Sequence, residues 1–140
     1  MKFAIVDIET TGGNAERSRI TEIAIYIYDR AQGKVVDEFQ TLVNPMRSIP
    51  QKITELTGIS NETVFEAPTF DETLAEQIDQ FTKDCVFVAH NVNFDYNFIR
   101  ASFKRLGKKY QRKKLCTVRL SRKLLPGKRS YSLGKLCASE

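Results

Sequence analysis

The chain has 140 residues, of which 41% are hydrophobic, and this size is typical of one domain with one hydrophobic core. No segment reaches the roughly 18 apolar residues of a membrane-spanning helix, and the start MKFAIVDIE reaches acidic residues too early for a secretory signal. We therefore expect a single cytoplasmic domain. Cys85, Cys116 and Cys137 are far apart without CxxC spacing, which indicates neither a disulfide framework nor a zinc knuckle.

The net charge of +5 is distributed unevenly along the chain. Residues 1–99 hold 8 Lys and Arg against 16 Asp and Glu, whereas residues 100–140 hold 14 against 1, so the two parts carry net charges of −8 and +13. Such asymmetry suggests that the basic part binds a polyanion, with nucleic acid as the first candidate. A solvated basic face that balances the acidic part stays open as the alternative.

The first part of the chain predicts an antiparallel meander of three strands. Residues 2–8 form an apolar first strand, which ends at a turn containing Gly12 and Gly13. In residues 19–29, RITEIAIYIYD, isoleucines alternate with other residues, and this period of two indicates a second strand. The segment GKVVDEFQTLVNP follows a turn near Gly33 and is the predicted hairpin partner of the second strand.

The middle of the chain predicts a short helix followed by a longer amphipathic one. Pro50 precedes the short helix in IPQKITELTGIS, and Gly58 ends it. Thr69 or Asp71 can cap the longer helix in TFDETLAEQIDQFTKD. Its buried face is predicted to carry Leu74, Ile78 and Phe81.

The last part predicts strands that pair in parallel. CVFVAH has the continuous apolar character of a buried strand, and NVNFDYNFIRASFKRLG after it predicts a helix that stops at Gly107. A strand followed by a helix implies a crossover to a parallel neighbour. KLCTV predicts a fifth strand, RLSRKLLPG a helix ended near Pro126, and SYSLGKLCASE a helix with a serine cap. The sum is an α/β domain whose mixed sheet is flanked by helices. The apolar positions that mark the helix before Gly107 are Phe94, Phe98, Ala101 and Leu106.

Three acidic residues are expected to share one site. Asp7 and Glu9 end a buried strand at positions i and i+2, so their side chains project from one face and repel each other. Asp95 in HNVNFD starts a helix directly after the apolar strand 85–89, and ligands collect at the ends of neighbouring strands. Three carboxylates suit Mg²⁺ or Mn²⁺, which also bind phosphate oxygens. Two acids at i and i+2 alone are usually only solvated, and the second acidic segment strengthens the prediction.

The segments FAIVDIETTG and HNVNFD resemble the first and second motifs of the DnaQ-like (DEDD) 3′–5′ exonucleases. This family includes the proofreading epsilon subunit of bacterial DNA polymerase III. The resemblance covers the whole chain, since RITEIAIYIYD, VNPMRSIPQKITELTGIS and YSLGKLC are similar to further segments of the family. It implies a ribonuclease H-like fold and a metal-dependent hydrolase that cuts phosphodiester bonds at the 3′ end of single-stranded DNA or RNA.

The resemblance also implies a mechanism with two divalent ions, Mg²⁺ or Mn²⁺, about 4 Å apart on the scissile phosphate. Asp7, Glu9 and Asp95 would be the catalytic metal ligands, and Asp7 would bridge the two ions. Thr10 and the backbone of Thr11 and Gly12 would bind the terminal nucleotide. The further substrate-binding positions that it implies are Leu56, Thr57, Gly58, Ile59, His90, Asn91 and Phe94, of which Phe94 could equally be a core residue.

The family's catalytic histidine lies in a third motif, H-x4-D, which follows the SLGKLC helix. The sequence ends at Glu140 before such a motif, so we expect residues 1–140 to be an exonuclease domain that is incomplete at its C-terminus and inactive alone. His90 belongs to the second motif and is not expected to be the general base. The subtype with tyrosine in place of histidine does not fit, because Tyr131 has no acid four residues later.

Two hypotheses follow for function. The first is an exonuclease of DNA replication or repair, with single-stranded 3′ ends as substrate and a polymerase or a further domain as partner. The second is a binding module that keeps the fold without catalysis. The three acids favour the enzyme, whereas the choice between DNA and RNA stays open because no segment indicates a contact to the 2′ hydroxyl.

Overall fold

Five strands and five helices follow one another in the computed structural model, which describes residues 1–124 except for the side chain of Ser121. The strands form one sheet, and the helices connect and cover it. The strands are β1 (Lys2–Thr10), β2 (Ile20–Asp29), β3 (Lys34–Leu42), β4 (Cys85–Ala89) and β5 (Lys114–Cys116). The helices are α1 (Gln51–Thr57), α2 (Asn61–Val64), α3 (Glu72–Phe81), α4 (Val92–Arg105) and α5 (Thr117–Leu124).

The sheet has the strand order β3-β2-β1-β4-β5. β1 and β2 pair antiparallel, as do β2 and β3, while β4 runs parallel to β1 and β5 parallel to β4. This confirms the predicted mixed sheet, with a meander of three strands and two parallel additions. β1 is longer than predicted, because Glu9 and Thr10 still pair with β2 across a bulge.

One face of the sheet carries the hydrophobic core. In β1 the side chains of Ala4, Val6 and Ile8 are buried in a cluster that includes residues of α3 and α4. Residues 5, 7 and 9 alternate with them and project from the opposite face, where Ile5 is 40% exposed. The alternation therefore places Asp7 and Glu9 outside the main core.

α1 and α3 begin where the sequence predicts, and α1 also ends at the predicted glycine. Pro50 precedes α1, and Gly58 after it has the left-handed conformation, with φ of 77°. Asp71 caps α3, since its carboxylate accepts the Leu74 N–H at 2.9 Å. The sequence did not predict α2, which Ser60 caps and which helps to form a second small core of Ile49, Ile59 and Val64.

The buried face of α4 includes only some of the apolar positions that mark this helix in the sequence. Phe98 is buried, but Phe94 is 37% exposed, and Ala101 and Leu106 are only partly buried. The core-facing stripe instead contains polar residues as well as apolar ones, and Asp95 is among them. The buried residues of α4 are Val92, Asp95, Tyr96, Phe98, Ile99, Ser102 and Phe103.

The last described helix and the cysteines complete the comparison with the predicted elements. α5 starts at Thr117, directly after β5, whereas its predicted end near Pro126 and the helix predicted for SYSLGKLCASE lie outside the described residues. Cys85 and Cys116 are free thiols, and Cys137 lies outside the described part. Within residues 1–124, no helix has the length and apolar character needed to cross a bilayer.

Candidate active site

A hydrogen bond joins the two acidic segments. Asp95 lies in the first turn of α4 and is 6% exposed, and its Oδ2 accepts the backbone N–H of Ile8 at 3.2 Å. Because β4 is the parallel neighbour of β1, the helix that follows β4 starts beside the end of β1. The fold thus brings Asp95 to the strand that carries Asp7 and Glu9, as the sequence predicts.

The carboxylates of the site influence one another. Burial and then the charge of Asp7 raise the pKa of Asp95 to about 7. Burial raises the pKa of Glu9 as well, with further contributions from the charges of Asp7 and Glu22. Since like charges destabilise the ionised form only at short range, these effects indicate a concentration of negative charge around the end of β1.

The donor chemistry of this site fits a hard divalent cation, because carboxylate oxygens are the ligands that Mg²⁺ and Mn²⁺ prefer. The part of the chain that the structure describes contains no three His, Cys, Asp or Glu side chains already arranged to hold an ion. Asp7, Glu9 and Asp95 are therefore close enough to interact electrostatically but do not form a closed coordination sphere. Their roles as metal ligands stay a prediction.

Sequence reasoning missed a fourth acid beside the site. Glu22 of β2 is the direct cross-strand partner of Glu9, and Gln40 of β3 donates to its carboxylate at 3.3 Å. The strand register is what identifies this acid, because the register that pairs Asp7 with Ala24 also places Glu22 opposite Glu9. Directly opposed like charges destabilise a strand pair, so Glu22 adds to the charge of the site.

The turn after β1 is held by hydrogen bonds of its own. The Thr10 hydroxyl donates to the Gly12 carbonyl at 2.7 Å. The Thr11 N–H donates to the Arg19 carbonyl at 2.8 Å, and the Thr11 hydroxyl accepts the Arg19 N–H at 3.0 Å. The backbone N–H of Thr11 is therefore engaged within the protein, so a nucleotide contact by this residue would have to use another atom. A Cβ on Gly12 would lie 2.6 Å from the Ser18 hydroxyl oxygen, which explains the glycine.

The second motif lies between β4 and α4. His90 Nδ1 is 2.7 Å from the Thr117 hydroxyl, so the two side chains form a hydrogen bond. Asn91 has a φ of 64° and precedes α4 without a side-chain capping bond. The Phe94 ring lies 4.9 Å from the Phe98 ring and is 37% exposed, which leaves part of it accessible to a nucleotide.

Among the predicted substrate-binding residues at the end of α1, some are exposed and others stabilise the fold. Leu56 is 82% exposed and is free to contact a base. The Thr57 hydroxyl donates to the Ile53 carbonyl at 2.9 Å and accepts the Ile59 N–H at 3.2 Å, so it stabilises the end of α1. Ile59 is only 6% exposed and belongs to the second small core, which is not the position of a side chain that contacts substrate.

Two residues of the basic segment 100–140 form contacts within the protein. Arg112 forms a salt bridge with Asp79 at 2.8 Å and donates to the Thr82 carbonyl at 3.0 Å. Lys114 lies over the Tyr96 ring at 4.8 Å. Arg112 is therefore a structural residue, whereas Lys114 and its neighbours Lys108, Lys109 and Lys113 are exposed.

The chain matches the RNase_T family model, whose description is exonuclease, over residues 4–139. It is 38% identical to the 3′-5′ exonuclease DinG of Staphylococcus epidermidis over 98% of the chain, and 38% identical to the DNA polymerase III subunit epsilon of Aquifex aeolicus over 96%. It is 41% identical to the PolC-type DNA polymerase III of Caldanaerobacter subterraneus subsp. tengcongensis over 96%. The chain spans 15%, 65% and 9% of these relatives, respectively.

Solved structures of nucleases share the fold. Exonuclease X in complex with 5′ overhanging duplex DNA matches 98% of this chain and 72% of its own, with a TM-score of 0.74 and 28% identity. E. coli Exonuclease I in complex with a dT13 oligonucleotide matches 99% of this chain and 35% of its own, with a TM-score of 0.86. At 17% identity, the second likeness shows the fold alone.

Proposed function

Because the chain belongs to the RNase_T exonuclease family, we propose that it forms the catalytic domain of a 3′–5′ exonuclease that hydrolyses phosphodiester bonds at single-stranded 3′ ends. The observation that carries the proposal is the meeting of Asp95 with Asp7 and Glu9 at the end of β1. This concentration of carboxylates needs a cation to be stable in its ionised form.

Exonucleases of the DEDD type generally use divalent metals. In this chain Asp7, Glu9 and Asp95 would hold Mg²⁺ or Mn²⁺, with two ions in the complete site. A divalent ion supplies the positive charge that offsets the negative charge of the scissile phosphate during attack by water. Asp95 is fixed by the Ile8 N–H, so it would orient the ion, whereas the more exposed Asp7 adjusts to it.

The residues around the acids would position the 3′ terminal nucleotide. Thr10, Thr11 and Gly12 form the turn beside the acids, and Phe94 offers a partly exposed ring from the first turn of α4. An exposed aromatic ring stacks on a base of any identity. His90, Asn91, Leu56 and Thr57 would complete the surroundings of the strand end.

We favour DNA as the substrate, because the similar proteins are named as DNA polymerase III subunits and the similar structures hold DNA. The biological role would be proofreading or repair, with a polymerase or a further domain of a longer chain as partner. Residues 1–140 would then form one exonuclease domain in the cytoplasm, and cell fractionation tests that location.

A degradation assay tests this function. The complete gene product that carries this sequence is incubated with Mg²⁺ or Mn²⁺ and single-stranded DNA labelled at its 5′ end. We expect a ladder that shortens from the 3′ end and stops on addition of EDTA. RNA of the same sequence serves as the second substrate.

The matched variants are Asp95→Asn and Glu22→Gln, each of which removes one negative charge from the same region. Loss of a metal ligand should reduce the rate by more than the roughly 10–100-fold cost of changing an outer partner, whereas Glu22→Gln should leave hydrolysis nearly unchanged. Shortening from the 5′ end, or full activity of Asp95→Asn, would contradict the proposal. Binding without hydrolysis under any divalent metal would support a binding module instead.

A further inference from the structure

Three guanidinium groups converge on the loop between β1 and β2. Arg19 precedes β2, Arg47 follows β3, and Arg105 is the last residue of α4, so the three come from distant parts of the chain. Each donates hydrogen bonds to backbone carbonyls of this loop. The acceptors are the carbonyls of Ala15, Glu16, Arg17 and Ser18.

None of these arginines has an acidic partner in the described part of the chain. The salt bridge found within residues 1–124 joins Arg112 to Asp79 instead. Burial and then the charge of Arg47 lower the pKa of Arg19, while burial followed by the charges of Arg19 and Arg47 lowers the pKa of Arg105. The three cations therefore repel one another, and the protein does not neutralise them.

The arginines also retain donors. A guanidinium carries five N–H donors in a planar fork that matches the oxygens of a phosphate. The carbonyl bonds use one nitrogen of each group, Nη1 in Arg19 and Arg47 and Nη2 in Arg105. Most donors of the three groups are thus available for an anion.

A cleft lies beside the cluster. It has a volume of about 140 Å³, and Arg19 and Arg105 are among the residues that line it. Asn44, Thr69 and Ser102 add polar side chains to the lining. Residues 1–99 carry a net charge of −8. Arg19 and Arg47 belong to this acidic part, so their convergence with Arg105 creates a local positive potential within it.

We propose that Arg19, Arg47 and Arg105 form a phosphate-binding site that takes a backbone phosphate of a nucleic acid strand. The proposal rests on the exonuclease function, since it supplies a second contact to the strand whose 3′ end lies at the acids. Arg19 pairs through its backbone with Thr11, which places the cluster next to the active site. Arg105 follows Asp95 by ten residues on α4, about 15 Å along the helix axis, which is the length of a few nucleotides.

Salt dependence of binding tests the site. The 140-residue chain is titrated with a fluorescent oligothymidylate in EDTA, which prevents hydrolysis, at several salt concentrations. Each phosphate contact contributes about −0.7 to the slope of log affinity against log salt for a single strand. Because the site takes one phosphate, replacing Arg19, Arg47 and Arg105 with Gln should reduce the slope by about 0.7. The control Arg30→Gln lies at the opposite end of β2 and should leave the slope unchanged.

Because the arginines also bind loop carbonyls, the triple variant could lose its fold, and two measurements avoid this problem. Arg47→Gln changes one exposed arginine, which makes a single carbonyl bond to the loop, and should reduce the slope by up to about 0.7. In the unchanged chain, the NMR signals of the arginine Nε–H groups are followed as inorganic phosphate or the oligothymidylate is added. If the signals of residues 19, 47 and 105 shift only in the oligothymidylate titration, the site binds a phosphate of the strand. If they shift in both titrations, the site also binds free phosphate.

Unchanged slopes together with unmoved arginine signals would overturn the proposal. Its failure is distinguishable from failure of the exonuclease function. Hydrolysis from the 3′ end with unchanged slopes removes only the arginine site, whereas reduced slopes without hydrolysis keep the site and remove the exonuclease.

Discussion

The backbone N–H of Ile8 donates to the carboxylate of Asp95, 87 residues later in the chain. β4 pairs with β1 only as far as the pair Ile5 and Val88, so the later residues of β1 extend beyond the end of β4. A buried backbone N–H needs a partner, and the first turn of α4 supplies one where the strand no longer does. The three acids therefore lie where β4 ends and β1 continues beyond it.

Asp95→Asn should change how stability depends on pH in the absence of metal. The pKa of Asp95 rises from 3.8 in the unfolded chain to about 7 in the fold, so the folded state binds the proton more tightly. The resulting stability is complete below about pH 4 and is lost as the pH rises to about 7. Between pH 5 and 8 the unchanged protein should lose about 2–3 kcal/mol relative to the variant, from 1.36 kcal/mol per pKa unit.

Urea unfolding in EDTA at both pH values measures this difference. Asp37→Asn is the control, because Asp37 is exposed on β3 and should show the pH dependence of the unchanged protein. Equal pH dependence of Asp95→Asn and the unchanged protein would mean that Asp95 titrates normally.

Glu22→Gln should stabilise the metal-free protein at pH 8. Glu22 faces Glu9 directly across the strand pair, and its charge contributes to the raised pKa of Glu9. Removal of one of two opposed like charges is worth about 0.2–1 kcal/mol, and the amide can still accept the bond from Gln40. Thermal unfolding at pH 8 with EDTA measures the gain, and a lower melting temperature would argue against repulsion at this position.

The sequence predicts the sheet well because its alternating and continuous apolar runs have distinct periods. It predicts the meeting of Asp95 with Asp7 for the same reason, since the parallel order of two strands follows from the crossover helix. It does not predict Glu22, because that requires the exact strand register. The sequence leaves open whether Phe94 lies in the core or contacts substrate, since an aromatic side chain at helical spacing is apolar whether or not the fold covers it.

The basic segment shows a second limit of sequence reasoning. Counting Lys and Arg in residues 100–140 cannot distinguish a cation in solvent from one with an internal partner. Arg112 looks like its lysine neighbours in the sequence, yet it bonds to Asp79 and Thr82. The cluster of Arg19, Arg47 and Arg105 was missed for a different reason, because its members are far apart in the sequence and only the fold brings them together.

Arg112→Gln should destabilise the protein. The change removes the salt bridge to Asp79 and one of the two donors to the Thr82 carbonyl, while the stacking of Arg112 over the Tyr110 ring at 4.4 Å is also lost. A hydrogen bond to a charged group is worth about 1.5–3 kcal/mol, so we expect a loss of roughly that size in urea unfolding. The neighbouring exposed Lys113→Gln is the control and should cost less than about 0.5 kcal/mol.

Replacing Lys108, Lys109 and Lys113 with Gln should weaken nucleic acid binding evenly across sequences. These three lysines are exposed in the basic segment, and contacts to phosphates carry no sequence information. The slope of log affinity against log salt, measured with oligonucleotides of different sequence, should fall for all of them alike. An unchanged slope would remove this segment from the interface, and a change confined to one sequence would indicate base recognition instead.

Gly12→Ala should destabilise the turn beside the acids, and Ser18→Ala should restore it. A Cβ on Gly12 would lie 2.6 Å from the Ser18 hydroxyl oxygen but 3.6 Å from its Cβ, so the hydroxyl alone creates the clash. We expect Gly12→Ala to cost about 1 kcal/mol, the low end of the cost of overpacking, because the Ser18 hydroxyl is the end of a side chain that can rotate, and the double variant to recover most of this loss. Urea unfolding of both single variants and the double variant gives the coupling energy, and additive losses would show that Ser18 rotates away from the new methyl group.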